Sequence, residues 1–192
     1  MRSTLWVGGL IVLGALSFAL TVTARGDDDK DKIECQIIYV PTEVEVVEKM
    51  LDMAKVGKDD VVYDLGCGDG RIVAIAAKKL GARGVGVDID PERIKDSHQT
   101  VKKYAVEKLV EIRKGDALKV KDLNKASVVM LYMLQPFMDK LEPIAQKTLK
   151  PGTRLVAHDF PFPNWKAEEA VTFKGPSREH KLYLYVVKKE GQ

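Results

Sequence analysis

Apolar and polar positions follow two alternating rhythms through most of the chain. Val44, Val47, Leu51 and Ala54 recur at helical spacing, and Thr42 with Glu45 three residues on has the form of a capping box. A helix is therefore expected to start there and to stop at Gly57. Val61-Val62-Tyr63-Asp64-Leu65 is short, β-rich and closed by Gly66, which reads as a strand, and Ile72, Ile75, Ala76 and Leu80 then resume helical spacing up to Gly81. A second strand is expected over Gly84 to Ile89, with Asp90 as N-cap and Pro91 opening a helix that reaches about Val106. Val110 to Arg113, Val128 to Met133 and Arg154 to Asp159 add three strands, Pro151-Gly152 turning into the last of them. Leu182 to Val187 reads as a further strand, with Val171 to Phe173 as its partner. Such alternation predicts an α/β fold: a doubly wound, mostly parallel sheet with helices on both faces and an antiparallel strand pair at its C-terminal end.

The first part of the chain keeps neither rhythm. Leu5 to Ala24 carries no charge and ends abruptly at Arg25 and the cluster Asp27-Asp28-Asp29-Lys30-Asp31-Lys32. Residues 1–24 are expected to be a membrane-directed segment. Val22-Thr23-Ala24 fits a signal-peptidase site, while about twenty apolar residues also suffice to span a bilayer, so cleaved signal and retained anchor both fit. Residues 25–37 read as an acidic tether, and residues 38–192 as one globular domain. The expected localisation is at a membrane or beyond it, with flanking charges too even to set the side.

Composition adds exclusions. With 45% hydrophobic and 31% charged residues among 192, the chain can bury a core without staples. Its net charge of +3 is small, and its lysines are interleaved with acids, so no basic stripe points to nucleic acid. Two cysteines, Cys35 and Cys67, make no disulfide framework and are expected to be free thiols. His98, His158 and His180 stand far apart without zinc-ligand spacing; no metal centre is expected, and His98 and His180 read as surface residues. A monomer is the expected state.

Ligands of open α/β sheets bind beyond the C-terminal strand ends, where strand order reverses. Asp64-Leu65-Gly66-Cys67-Gly68-Asp69-Gly70 follows the first strand, with Gly66 and Gly68 letting backbone approach a ligand where a Cβ would collide. Asp64 is placed to hold an ammonium, and the free amides of the turn can receive a carboxylate. Asp88, with Ile89 beside it, ends the second strand, where a carboxylate can accept two ribose hydroxyls. Asp116-Ala117 follows the third strand and is placed for an adenine amino group. The dinucleotide pattern G-x-G-x-x-G is absent, since Arg71 takes the place of its third glycine. The tighter G-x-G-x-G with Asp two residues ahead favours S-adenosyl-L-methionine.

Tyr39-Val40-Pro41-Thr42, the run Val61 to Val73, Leu149 to Arg154, the segment His158-Asp159-Phe160 with Trp165, and Tyr183 to Val186 together resemble the archaeal broad-specificity protein-lysine methyltransferases. They are also similar, more distantly, to the mitochondrial membrane-anchored lysine methyltransferases of eukaryotes. The resemblance spans nearly everything after Ile37. It implies a seven-stranded Rossmann-like fold, S-adenosyl-L-methionine as cofactor, and protein lysine as acceptor, with Tyr39 and Thr42 closing over the cofactor. The apolar N-terminus departs from the soluble archaeal relatives.

A lysine acceptor is protonated at neutral pH, with a free pKa of about 10.4, and must lose a proton before it attacks. An apolar, aromatic mouth would help by disfavouring its charge. Tyr132 and Trp165 are candidates to flank a methylammonium, and His158 and Asp159 to take the proton through water. Tyr132-Met133-Leu134-Gln135-Pro136-Phe137 stands where many base- and amide-modifying relatives carry Asn-Pro-Pro-aromatic, which disfavours nucleic-acid or glutamine acceptors. A small-molecule or lipid acceptor, and a binding module without catalysis, are the alternatives.

Overall fold

In the computed structural model, residues 39–189 are described; the apolar segment 1–24 and the tether 25–37 lie outside the described residues. Seven strands form one sheet: β1 (Val61–Leu65), β2 (Arg83–Asp88), β3 (Val110–Lys114), β4 (Val128–Leu131), β5 (Arg154–His158), β6 (Glu169–Lys174) and β7 (Glu179–Val186). Their order is β3-β2-β1-β4-β5-β7-β6. The first five run parallel, and β7 lies antiparallel between β5 and β6. Strand order reverses between β1 and β4, so the mouth of a ligand site falls beside β1.

Alternation along each strand divides the core in two. Val62, Met130, Val156 and Leu182 face helices α1 (Val44–Met53), α2 (Arg71–Leu80) and α3 (Pro91–Tyr104). Tyr63, Leu65, Val129, Leu131 and Leu155 pack on the other face with Met138, Leu141 and Ala145 of α4 (Gln135–Thr148). Only two short 3₁₀ turns, Ala117–Lys119 and Leu123–Lys125, lie between β3 and β4. β1 and β4 are buried on both faces, which is why they read as unbroken apolar runs rather than alternating ones.

Element ends differ from expectation in instructive ways. The N-cap of α1 is Glu43, with no side-chain cap bond, because the Thr42 hydroxyl lies against His158 instead. The Thr42–Glu45 capping box is thus not formed. β4 stops at Leu131, leaving Tyr132 and Met133 in the loop above the sheet. Asp90 does cap α3, accepting from Glu92 N at 2.8 Å, and Gly81 ends α2 at φ 69°. At the opposite end of the sheet, the Arg154 guanidinium binds the Ala54 carbonyl at 2.6 Å and pairs with Asp60, which also accepts from Ser127 Oγ at 2.6 Å. That network ties the end of α1 to β1, β4 and β5. No helix among the described residues is long and apolar enough to cross a membrane.

Candidate active site

The tips of β1, β2 and β3 are bound into one cradle. Gly66 N and Cys67 N both donate to the Val87 carbonyl, at 2.8 and 3.0 Å, and Gly115 N donates to the Asp88 carbonyl at 2.8 Å. Gly66 and Gly68 sit at φ 89° and 55°, a region that favours glycine. A Cβ on Gly66 would be driven into the Met133 thioether, and one on Gly68 into the Tyr39 ring. The turn is therefore bare backbone with two side chains leaning over it.

Around this turn stand the carboxylates. Asp64 is 2% exposed, and its Oδ2 has no hydrogen-bond partner among the described residues. Burial, reinforced by the charges of Asp88 and Asp69, pushes its carboxyl up to about 8. Such an orphaned buried acid fits a cationic partner. Asp88 accepts from Gly68 N at 2.8 Å through Oδ2 and from Asp90 N at 3.0 Å through Oδ1, so each oxygen keeps a lone pair for a hydroxyl. Ile89, 65% exposed, stands just beyond. Asp116 caps the turn after β3, accepting from Leu118 N at 2.9 Å, a bond that holds its carboxyl below the usual range; Ala117 beside it is buried.

Arg71 has a role that its position as a missing glycine did not suggest. It pairs with Asp69 at 2.7 Å and donates to the Thr42 carbonyl at 3.0 Å. This fastens the Tyr39–Thr42 segment to the glycine turn. The Arg93 guanidinium lies 4.7 Å from the Tyr39 ring centroid on the other side.

On the acceptor side, Tyr132 stacks on His158 with ring centroids 3.9 Å apart, and Phe160 lies 6.4 Å from it. Asp159 takes a left-handed φ of 62°, accepts from Lys181 N at 3.0 Å and binds Arg178 at 2.6 Å. Arg178 also donates to the Tyr132 hydroxyl at 3.1 Å. The Arg178 bond, acting against burial, holds Asp159 below the usual carboxylate range, which makes it a weak base. Trp165 packs with ring centroids 5.4 Å from Phe162 and 5.6 Å from Tyr185, and Phe160 is the aromatic ring stacked beside Tyr132.

The histidines correct the sequence reading. His98 is exposed, but His180 is only 3% exposed and is not a surface residue. His158 Nε2 and His180 Nδ1 are 2.8 Å apart, because the antiparallel register of β5 and β7 brings the two rings together. Burial lowers His158 to about 4, so its ring is neutral at pH 7. Ligand atoms of His158, Asp159 and His180 fall within 4.8 Å of one another, a spacing that a metal could span. Here the two rings bond each other and Asp159 is engaged by the Arg178 cation.

Residues 64–169 match the family described as the ANTKMT methyltransferase domain. The chain belongs to that family. A protein-lysine N-methyltransferase of Saccharolobus islandicus is 43% identical over 150 residues, covering 78% of this chain and 92% of that one. A human lysine N-methyltransferase named for its action on ATP synthase is 31% identical over 71% of this chain, which spans 57% of the human protein's length. An RNA methyltransferase of Salinibacter ruber, crystallised with S-adenosyl-L-homocysteine, superposes with a TM-score of 0.75 at 42% identity, over 80% of this chain and 97% of that one. This ANTKMT-family chain is a methyltransferase, and its cofactor is S-adenosyl-L-methionine.

The cradle fits that cofactor. Asp64 would hold the ammonium, the bare Gly66–Gly68 backbone would admit the methionyl part, and Asp88 and Asp116 would take ribose and adenine. When bound, S-adenosyl-L-methionine supplies a methyl group already activated on a sulfonium, so the protein's task is alignment and exclusion of water. Tyr39 and Met133, leaning over the turn, are placed to exclude it.

Proposed function

We propose that this chain transfers methyl groups to lysine side chains of proteins. The observation that carries the reading is the 43% identity to a relative named as a protein-lysine N-methyltransferase, 92% of whose length is covered. The acceptor side agrees with it chemically. Tyr132 and Phe160 offer aromatic surface to a lysine side chain, and no covalent nucleophile is required. The apolar segment 1–24 is proposed to bring the domain to a membrane, where it works as a monomer.

RNA is the second reading, favoured by the description of the Salinibacter protein. Against it stand the small net charge and Tyr132-Met133-Leu134-Gln135-Pro136 after β4, where base-modifying relatives carry Asn-Pro-Pro-aromatic. The decisive experiment incubates the purified chain with methyl-labelled S-adenosyl-L-methionine, mixed cell proteins and total RNA. Acid-stable label recovered on lysine supports the proposal; nuclease-sensitive label with none on lysine overturns it. Cell fractionation with protease protection tests the membrane assignment, which fails if the chain stays with the soluble fraction.

A further inference from the structure

Arg71 fastens Thr42 to the glycine turn through the Thr42 carbonyl, and the Thr42 hydroxyl lies against the His158 ring, on which Tyr132 stacks. From that hydroxyl a row of polar atoms runs outward. Thr42 Oγ1 is 3.3 Å from His158 Nδ1, and His158 Nε2 is 2.8 Å from His180 Nδ1. His180 Nε2, otherwise without a partner among the described residues, faces Glu43 Oε2 at 3.5 Å. The Glu43 carboxylate reaches the surface and can shorten that last contact by rotation. A Cβ on Gly175 would fall 2.7 Å from the His180 ring and 2.9 Å from Glu43 Oε2, so the β6–β7 hairpin closes tightly over this end of the row.

We propose that Thr42, His158, His180 and Glu43 form one directed relay that carries the acceptor lysine's proton from the pocket to solvent, an inference that rests on the lysine reading above. Direction follows from tautomers. Glu43, a carboxylate held below its usual range by the Ser177 N–H, accepts only, so His180 presents Nε2–H to it and keeps a lone pair on Nδ1. That lone pair receives His158 Nε2–H, which leaves His158 Nδ1 to accept from the Thr42 hydroxyl. The Thr42 oxygen then offers its lone pairs to the incoming ammonium. Other groups facing His158 do not compete: Tyr132 stacks on its ring, and Asp159, 3.4 Å from Nε2, is held by Arg178.

In one cycle the ammonium gives a proton to the Thr42 oxygen, whose own proton passes to His158 Nδ1. His158 Nε2–H moves to His180 Nδ1, and His180 Nε2–H leaves through Glu43 to water; once the product has left, the reverse hop takes a proton from water at Glu43 and releases one from Thr42 to the water refilling the open pocket, which restores the starting tautomers. The free amine forms its N–C bond as the C–S pair returns to sulfur, so one proton departs for each methyl added. His180 and Glu43 are thus positioning residues that never touch the acceptor.

The test compares kcat of the full chain with its His180→Gln and Glu43→Gln variants from pH 7 to 9.5, using labelled S-adenosyl-L-methionine and the same protein mixture. At pH 7 the His180→Gln variant is expected to lose about 100-fold in kcat, the low end for acid–base assistance, with the KM for cofactor unchanged. That deficit shrinks toward pH 9.5, because an amine of pKa about 10.4 increasingly arrives deprotonated. Glu43→Gln, at a partly exposed site that does not threaten folding, is expected to show a smaller deficit with the same pH trend. A pH-independent loss in both variants, or no loss, overturns the relay while leaving lysine methylation standing. Absence of lysine label from the unaltered chain overturns the lysine reading and the relay with it.

Discussion

Replacing Asp64 by Asn isolates the electrostatic cost of the cofactor cradle. The carboxyl is wholly buried and pushed from 3.8 to about 8, first by burial and then by Asp88 and Asp69. Between those two values the folded chain holds one proton more than the unfolded chain, so stability falls as pH rises, at about 1.4 kcal/mol per pH unit. This contribution is complete below pH 3.8 and fully lost above about 8. Asn removes the titration. Its buried amide also lacks a partner, which costs roughly 1–3 kcal/mol, but that penalty is the same at every pH. The stability difference, Asn variant minus parent, is therefore expected to climb by about 4 kcal/mol from pH 5 to pH 8 and then level off. Urea unfolding of both chains without cofactor, at half-unit pH steps, measures it. Parallel stability curves would refute the assignment of a protonated, unpartnered Asp64. The same carboxyl predicts that S-adenosyl-L-homocysteine binding at pH 7 releases a proton, seen in calorimetry as a dependence of the heat on buffer ionisation, and that the Asn variant loses this dependence.

Asp88→Ala leaves ribose hydroxyls without an acceptor and is expected to weaken cofactor binding by about 1–3 kcal/mol; calorimetry showing an unchanged Kd would remove Asp88 from the site. Gly68→Ala forces a side chain into φ 55° and against the Tyr39 ring, so cofactor affinity and thermal stability should both fall, and a normal Kd would show that Tyr39 does not cover the turn. Trp165→Phe trims an aromatic packed on Phe162 and Tyr185, and a loss of about 1–3 kcal/mol in unfolding free energy with kcat retained is expected. Collapse of kcat at unchanged stability would instead return Trp165 to the acceptor side.

The parts of the structure legible from sequence are those whose cause is local. β1 reads correctly at both ends because five β-rich residues are stopped by a glycine whose positive φ ends the strand. Asp64, Gly66, Gly68, Asp88 and Asp116 were located as strand-tip groups by the same logic, since each follows an apolar run that the sheet aligns in parallel. The Thr42 capping box failed for the opposite reason. Its pattern was local, but a hydroxyl can cap a helix or bond an imidazole, and His158, which lies 116 positions away in sequence, decides between them.

The histidines extend this point from local misreading to mechanism. Residues 158 and 180 are 22 apart, and nothing in their spacing marks them as a pair; only the reversal of direction from β5 into β7 sets one ring against the other. Arg71 has the same character: it reads as an absent glycine, yet its guanidinium joins Asp69 to the carbonyl of Thr42. Both contacts converge on the segment from Tyr39 to Glu43. Arg71 holds its backbone to the cofactor turn, while His158 and His180 hold its side chains to the acceptor-side hairpin. A single short stretch before α1 is thus shared by the two halves of the site, its backbone serving the cofactor turn and its side chains the acceptor side.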